Sequence, residues 1–121
     1  MNIAYISCEN YEKYSEGYVD EESMLLGFLV NQGLNITRCI WNDPTVEWQK
    51  YEIAILKSPW DYHEQIEDFH KWLDTLQMLN VRLLNPVEII KWNSDKHYLA
   101  DIAASGLKVI PSVFFDRNSK P

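Results

Sequence analysis

Between Ile3 and Phe115, short β-favouring runs alternate with amphipathic helical stretches, and this alternation leaves few folds open. Ile3-Ala4-Tyr5-Ile6-Ser7-Cys8 is almost continuously apolar, as expected of a strand buried on both faces. The polar stretch from Glu9 to Tyr18 reads as a loop. Asp20 is placed to cap a helix, with Glu21 and Glu22 in the first turn, where the helix dipole favours negative charge. Met24, Leu25, Phe28 and Leu29 share one helical face, and Gly33 falls where a left-handed C-terminal residue is needed. A second strand is expected over 36–41, broken by Asn42-Asp43-Pro44, and a third over 52–57.

Ile66, Phe69, Trp72, Leu73, Leu76 and Leu79 repeat at three and four residues, so a helix is expected over 64–79, with Asn80 able to end it. A short fourth strand follows at 81–84. Asn85-Pro86-Val87-Glu88 combines a capping side chain, a proline at the first helical position and a glutamate three residues after the cap, which starts a short helix. Asn93-Ser94-Asp95 starts another, carrying Tyr98, Leu99, Ile102 and Ala103 and closing at Gly106. A final strand-like run occupies 109–115, and 116–121 is polar. The order β-α-β-β-α-β-α-α-β predicts an α/β class with a mostly parallel sheet, Rossmann-like in three layers. Right-handed crossovers give the strand order 2-1-3-4.

Composition narrows the partners. The 121 residues suit a single core, and 46% of them are hydrophobic. A net charge of −7 argues against nucleic acid or an anionic membrane surface as a partner. No apolar run approaches the ~20 residues that span a bilayer, and no signal peptide is visible, so a cytoplasmic location is expected. Cys8 and Cys39 sit in apolar runs and read as reduced, buried thiols. Five tryptophans and seven tyrosines are many for this length.

In an open parallel sheet, ligands bind beyond the carboxyl ends of the strands where the order reverses. For the order 2-1-3-4 that point lies between strands one and three. It brings together Cys8-Glu9-Asn10 and Ser58-Pro59-Trp60-Asp61-Tyr62-His63, with Asn85 on the same edge. Trp60 and Tyr62 offer flat apolar surface, Asp61 an acceptor for an amine, and His63 a group titrating near neutrality. The blander alternative is that Trp60 caps the core, Asp61 caps the next helix and His63 is solvated. No glycine-rich dinucleotide turn and no phosphate-binding loop is present, and only four glycines occur in the chain. His63, His70, His97 and the two cysteines lack metal-ligand spacing, so no metal site is expected. A Gly-x-Ser-x-Gly nucleophile turn is missing. The acidic residues of a phosphoacceptor domain are missing too, because the third strand ends in Lys57-Ser58.

Asn85-Pro86, Trp92-Asn93-Ser94-Asp95-Lys96 and Gly106-Leu107-Lys108-Val109-Ile110-Pro111-Ser112 together resemble the N-terminal, pre-ATP-grasp region of ATP-grasp ligases. The type is that of glutathione synthetase and the ribosomal-protein glutamate ligases. The loop 58–63 is similar to a Ser-x-Trp-Asp-Tyr segment of one branch, and Ser112 stands where threonine is commoner. The resemblance implies that residues 1–108 form a pre-ATP-grasp domain and that 109–121 begin the ATP-grasp domain. It implies an ATP-dependent carboxylate–amine or carboxylate–thiol ligase that works through an acylphosphate, with ATP and Mg2+ bound in the full-length protein. On that basis Lys96 is the nucleotide-contact residue, and Trp60, Asp61, Tyr62 and Asn85 lie on the side of a small-molecule substrate.

The chain alone is then expected to be an excised N-terminal domain, without catalytic residues or cofactor of its own, partnered by the missing ATP-grasp domain. In the full-length enzyme, replacing Asp61 with alanine is expected to weaken substrate use without unfolding. An uncovered last strand makes a homodimer a further expectation. The alternative is a stand-alone flavodoxin-like domain that binds a small ligand or a protein without chemistry.

Overall fold

A computed structural model describes residues 1–9 and 20–115. The expected loop over 9–18 and the polar tail over 116–121 therefore lie largely or wholly outside the described residues. The chain divides into two compact units at Val87 and Glu88.

In the first unit, strands β1 (Asn2–Ser7), β2 (Asn35–Ile40), β3 (Ile53–Ser58) and β4 (Arg82–Leu83) form one sheet in the order β2-β1-β3-β4, with every pair parallel. This is the order expected from the sequence. Helix α1 (Glu21–Asn31) connects β1 to β2, and helix α2 (Ile66–Met78) connects β3 to β4. The two crossovers run in opposite directions from the centre of the sheet, so right-handed connections place the helices on opposite faces. The result is the Rossmann-like arrangement of helix, sheet and helix.

Strand β1 is central, and Ile3, Ala4, Tyr5, Ile6 and Ser7 are all buried. On one face, Leu25, Leu26 and Leu29 of α1 pack against Ile3, Tyr5 and Ile36, together with Ile53 and Ile55. Here the expected helical face needs correction. Met24 and Phe28 are exposed, and the inward stripe is Glu22, Leu25, Leu26 and Leu29. Asp20 caps α1 as expected, its carboxylate accepting from the Ser23 N–H at 3.0 Å. Gly33 ends the connection at φ 86°.

Helix α2 buries Phe69, Trp72, Leu73 and Leu76. Much of the aromatic content is used here. Trp41 meets Phe69 edge-on at 5.3 Å and Trp72 at 6.1 Å, and Trp48 meets Trp72 at 5.5 Å. Asn80 follows the helix at φ 58°, a left-handed position that asparagine tolerates.

The second unit holds α4 (Tyr98–Ala104) and, from Glu88 onward, the body of α3 (Val87–Asn93). Gly106 closes α4 at φ 87°. The expected strand over 109–115 is absent: these residues have no assigned secondary structure and join no ladder among the described residues. Their β-favouring composition needs a neighbouring strand, and none of the described residues supplies one. Leu99, Ala100 and Ala103 of α4 and residues 109–112 with Phe114 line an apolar hollow of about 200 Å³. Among the described residues, no helix is long and apolar enough to cross a membrane.

Candidate functional site at the β1 and β3 carboxyl ends

The reversal in strand order falls between β1 and β3, and a buried polar network sits there. Glu22, 4% exposed, reaches from the first turn of α1 to the strand ends. The Ser58 hydroxyl donates to Glu22 Oε1 at 2.7 Å, and the Ser7 hydroxyl donates to Oε2 at 3.0 Å. Arg38 Nε of β2 donates to the same Oε2 at 2.6 Å. Its Nη2 donates to Ser7 Oγ at 3.1 Å and to the Cys8 carbonyl at 2.9 Å. One carboxylate thus ties three strands to a helix, and its charge is matched by a guanidinium, as a buried carboxylate requires.

Local sequence explains the placement. The strand period turns Ser7 to the face that carries Ile3 and Tyr5, the face covered by α1. The helix period puts Glu22 on the stripe with Leu25, Leu26 and Leu29. The register between β1 and β3 shifts at this point: Ile6 faces Leu56, and Ser7 faces Ser58. Lys57 is the extra residue, without a partner on β1. Such bulges bend a strand and re-aim its side chains.

Next to the network is a cavity of about 190 Å³, lined by Tyr5, Glu21, Glu22, Leu25, Lys57, Ser58 and Trp60. Lys57 and Glu21 are exposed and carry opposite charges. Trp60, 48% exposed, supplies an aromatic wall.

Of the residues expected at a substrate, Trp60 is the one that lines this cavity. Asp61 is half-buried, and its Oδ1 accepts from the Trp41 indole N–H at 2.7 Å, so one of its oxygens is committed to the core. Tyr62 packs on Phe69 at 5.1 Å. His63 is exposed, with Nδ1 2.9 Å from the Trp60 carbonyl. Asn85 is exposed beyond β4, on the carboxyl edge of the sheet as expected. Lys96 lies in the second unit, in the turn before α4 rather than inside a helix start, with Nζ 5.7 Å from the centre of the Tyr98 ring. In that turn Asp95 accepts from the His97 N–H at 2.9 Å and contacts His97 Nδ1 at 2.6 Å; these bonds hold its carboxyl below the usual range.

Cys8 and Cys39 are free and buried, and burial pushes both thiols up, away from the reactive thiolate form. The Cys39 sulfur and the Tyr51 hydroxyl are hydrogen-bonded at 3.3 Å; with the phenol O–H as donor to the sulfur, this bond and burial raise the phenol to about 12. No group of three metal-ligating side chains occurs among the described residues.

Glu22, Arg38, Ser7 and Lys57 were not singled out by the sequence reading. The available signal was that Glu22 falls on the apolar stripe of α1, where an unpaired charge is not tolerated.

The described geometry matches known proteins. A family profile described as the N-terminal domain of the D-cycloserine synthetase DcsG matches residues 3–85. The chain belongs to this family. A cycloserine biosynthesis protein DcsG from Streptomyces lavendulae is 36% identical over 80 residues, which is 66% of this chain and 26% of that protein. The crystal structure of D-cycloserine synthetase DcsG superposes with a TM-score of 0.76 at 30% identity, covering 92% of this chain and 36% of that one. The chain therefore spans about a quarter to a third of the length of these relatives. The family match lies within the first unit and includes every residue of the network and the cavity; Lys96 is outside it.

Proposed function

We propose that this chain is the substrate-side N-terminal domain of an ATP-dependent ligase of the ATP-grasp type, acting in a synthesis of the D-cycloserine kind. The observation that carries the reading is the position of the cavity. It opens at the carboxyl ends of β1 and β3, where an α/β sheet of this order binds its ligand. Its 190 Å³ is below the ~300 Å³ at which drug-sized pockets begin, which suits a small molecule. In this reading the cavity holds the acceptor substrate against Trp60. Mg2+ and most of the ATP molecule bind to polypeptide outside residues 1–108, and residues 109–121 open that region. The carboxylate is activated as an acylphosphate, and a nitrogen or sulfur nucleophile displaces the phosphate.

Within this chain Lys96 is the proposed phosphate-side contact. Its ammonium is exposed and adds positive charge before α4. The closeness to glutathione synthetase and to the ribosomal-protein ligases is part of the same proposal and rests on the motif order from Asn85 to Ser112.

The test is to read the source gene past the codon for Pro121 and to assay the whole gene product for ADP release with Mg2+ and small amino and carboxylate compounds. Substrate-dependent ADP release, weakened by Trp60→Ala through KM and by Lys96→Ala through the KM for ATP, is the expected result. A product that turns over no ATP with any such compound overturns the reading.

A further inference from the structure

We infer that Lys57 is the anion-recognising residue of the β1/β3 cavity, and that Glu22, acting through Ser58, is the positioning residue that holds it there. The inference rests on the reading of the cavity as a ligand site. Three observations converge on it. First, Lys57 is the residue that the register shift leaves without a partner on β1, while its neighbours Leu56 and Ser58 stay in the ladder. Second, both sides of the bulge are gripped by one carboxylate: Ser7 and Ser58, which face each other across the strands, donate to the two oxygens of Glu22. Third, Lys57 is exposed, lines the cavity and makes no ion pair among the described residues.

The charge arithmetic explains why the lysine stays available. Glu22 is the buried anion among the cavity's lining residues; Glu21, the other carboxylate there, is exposed to solvent. Its charge is already met by Arg38 at 2.6 Å, and with the two serine hydroxyls that makes three donors on about four acceptor sites. Lys57 is therefore not needed to balance it. An unbulged β3 would set Lys57 opposite Ser7 and move Ser58 out of reach of Glu22. The network and the presentation of the lysine are thus two consequences of one register. The ligand group that Lys57 fits is an oxyanion, a carboxylate or a phosphate, because an ammonium serves both as a compact point charge.

The experiment uses the whole chain, labelled with nitrogen-15, and titrates it with acetate and with inorganic phosphate against chloride at matched ionic strength. The amides of Lys57, Ser58 and Trp60 are expected to shift saturably with an oxyanion and not with chloride. The tighter of the two probes tells carboxylate from phosphate. Lys57→Met is expected to weaken that binding about tenfold, the scale of a hydrogen bond to a charged group. Ser58→Ala, which keeps the lysine side chain but removes the bond to Glu22, should weaken it by a similar factor. Ser58→Thr, which keeps the hydroxyl, should restore it. The double variant K57M/S58A should lose no more than K57M alone, because a positioning residue has nothing to act on once the lysine is gone.

If S58A disperses poorly, Glu22→Gln with its shape retained takes its place in the cycle. Absence of saturable shifts with both anions, unchanged affinity in S58A or E22Q, or additive losses in the double variant each overturn the inference. ADP release by the whole gene product is measured separately, so loss of this inference leaves the ligase reading standing or falling by its own assay.

Discussion

Replacing Asp61 with alanine tests whether the aromatic loop after β3 belongs first to the core. The Trp41 side chain is 2% exposed, and its indole N–H donates to Asp61 Oδ1 at 2.7 Å. Alanine leaves that donor buried without its acceptor. An unsatisfied buried donor costs about 1–3 kcal/mol, and the partner here is charged, so about 2 kcal/mol is expected. Asparagine keeps a carbonyl oxygen at the same place and should recover most of that. With a urea slope near ~2 kcal/mol/M, the alanine variant should lose roughly 1 M in its unfolding midpoint, followed by tryptophan fluorescence. The slope itself should not change. An alanine variant as stable as the parent, or an asparagine variant as unstable as alanine, refutes the assignment. The substitution is then still expected not to unfold the protein, but to lower its stability measurably. Any loss of ligand affinity in Asp61→Ala has to be compared with Asp61→Asn before it is credited to contact with a substrate.

Other outcomes follow from the same coordinates. Glu22→Ala strands the Arg38 guanidinium and two serine hydroxyls and should cost about 3 kcal/mol, the low end for a broken buried pair because Arg38 is 37% exposed; denaturant unfolding checks it, and a loss below about 1 kcal/mol sinks the network as a structural element. Tyr51 is raised from 10 to about 12, chiefly by the hydrogen bond that its O–H gives the Cys39 sulfur, so the folded state favours the protonated phenol. The stability this contributes is complete below pH 10 and is lost as pH rises toward 12; near-ultraviolet titration of Tyr51→Phe should lack the latest ionisation, and superimposable curves would refute it. Gly33→Ala meets no atom within 4 Å but must adopt φ 86°, so it should destabilise by about 1 kcal/mol through backbone strain alone, read by the thermal midpoint.

What could be read from the sequence, and what could not, divides along a physical line. The strand order came out correctly because handed crossovers and short links leave one economical arrangement, whatever the side chains do in detail. Asp20, Gly33, Asn80 and Gly106 were legible because each answers a local backbone demand: a free N–H at a helix start, or a left-handed residue at a helix end. The strand expected over 109–115 failed for the opposite reason. Its residues favour extended backbone, but a ladder is a property of two chains segments side by side, and composition cannot supply the second.

The face of α1 failed more instructively. Counting apolar residues pointed to Met24 and Phe28, yet the inward stripe begins with Glu22, because a charge is admitted to the core when its partner arrives from elsewhere. That partner is Arg38, sixteen residues away on β2, and the two hydroxyls come from the ends of β1 and β3. None of these four positions is unusual by itself; only the sheet order makes them neighbours. Once the order is known, two serines facing each other at the switch point imply a shared acceptor, and the glutamate on the apolar stripe of α1 is the acceptor within reach. The polar residues that organise the site thus become readable one step after the topology.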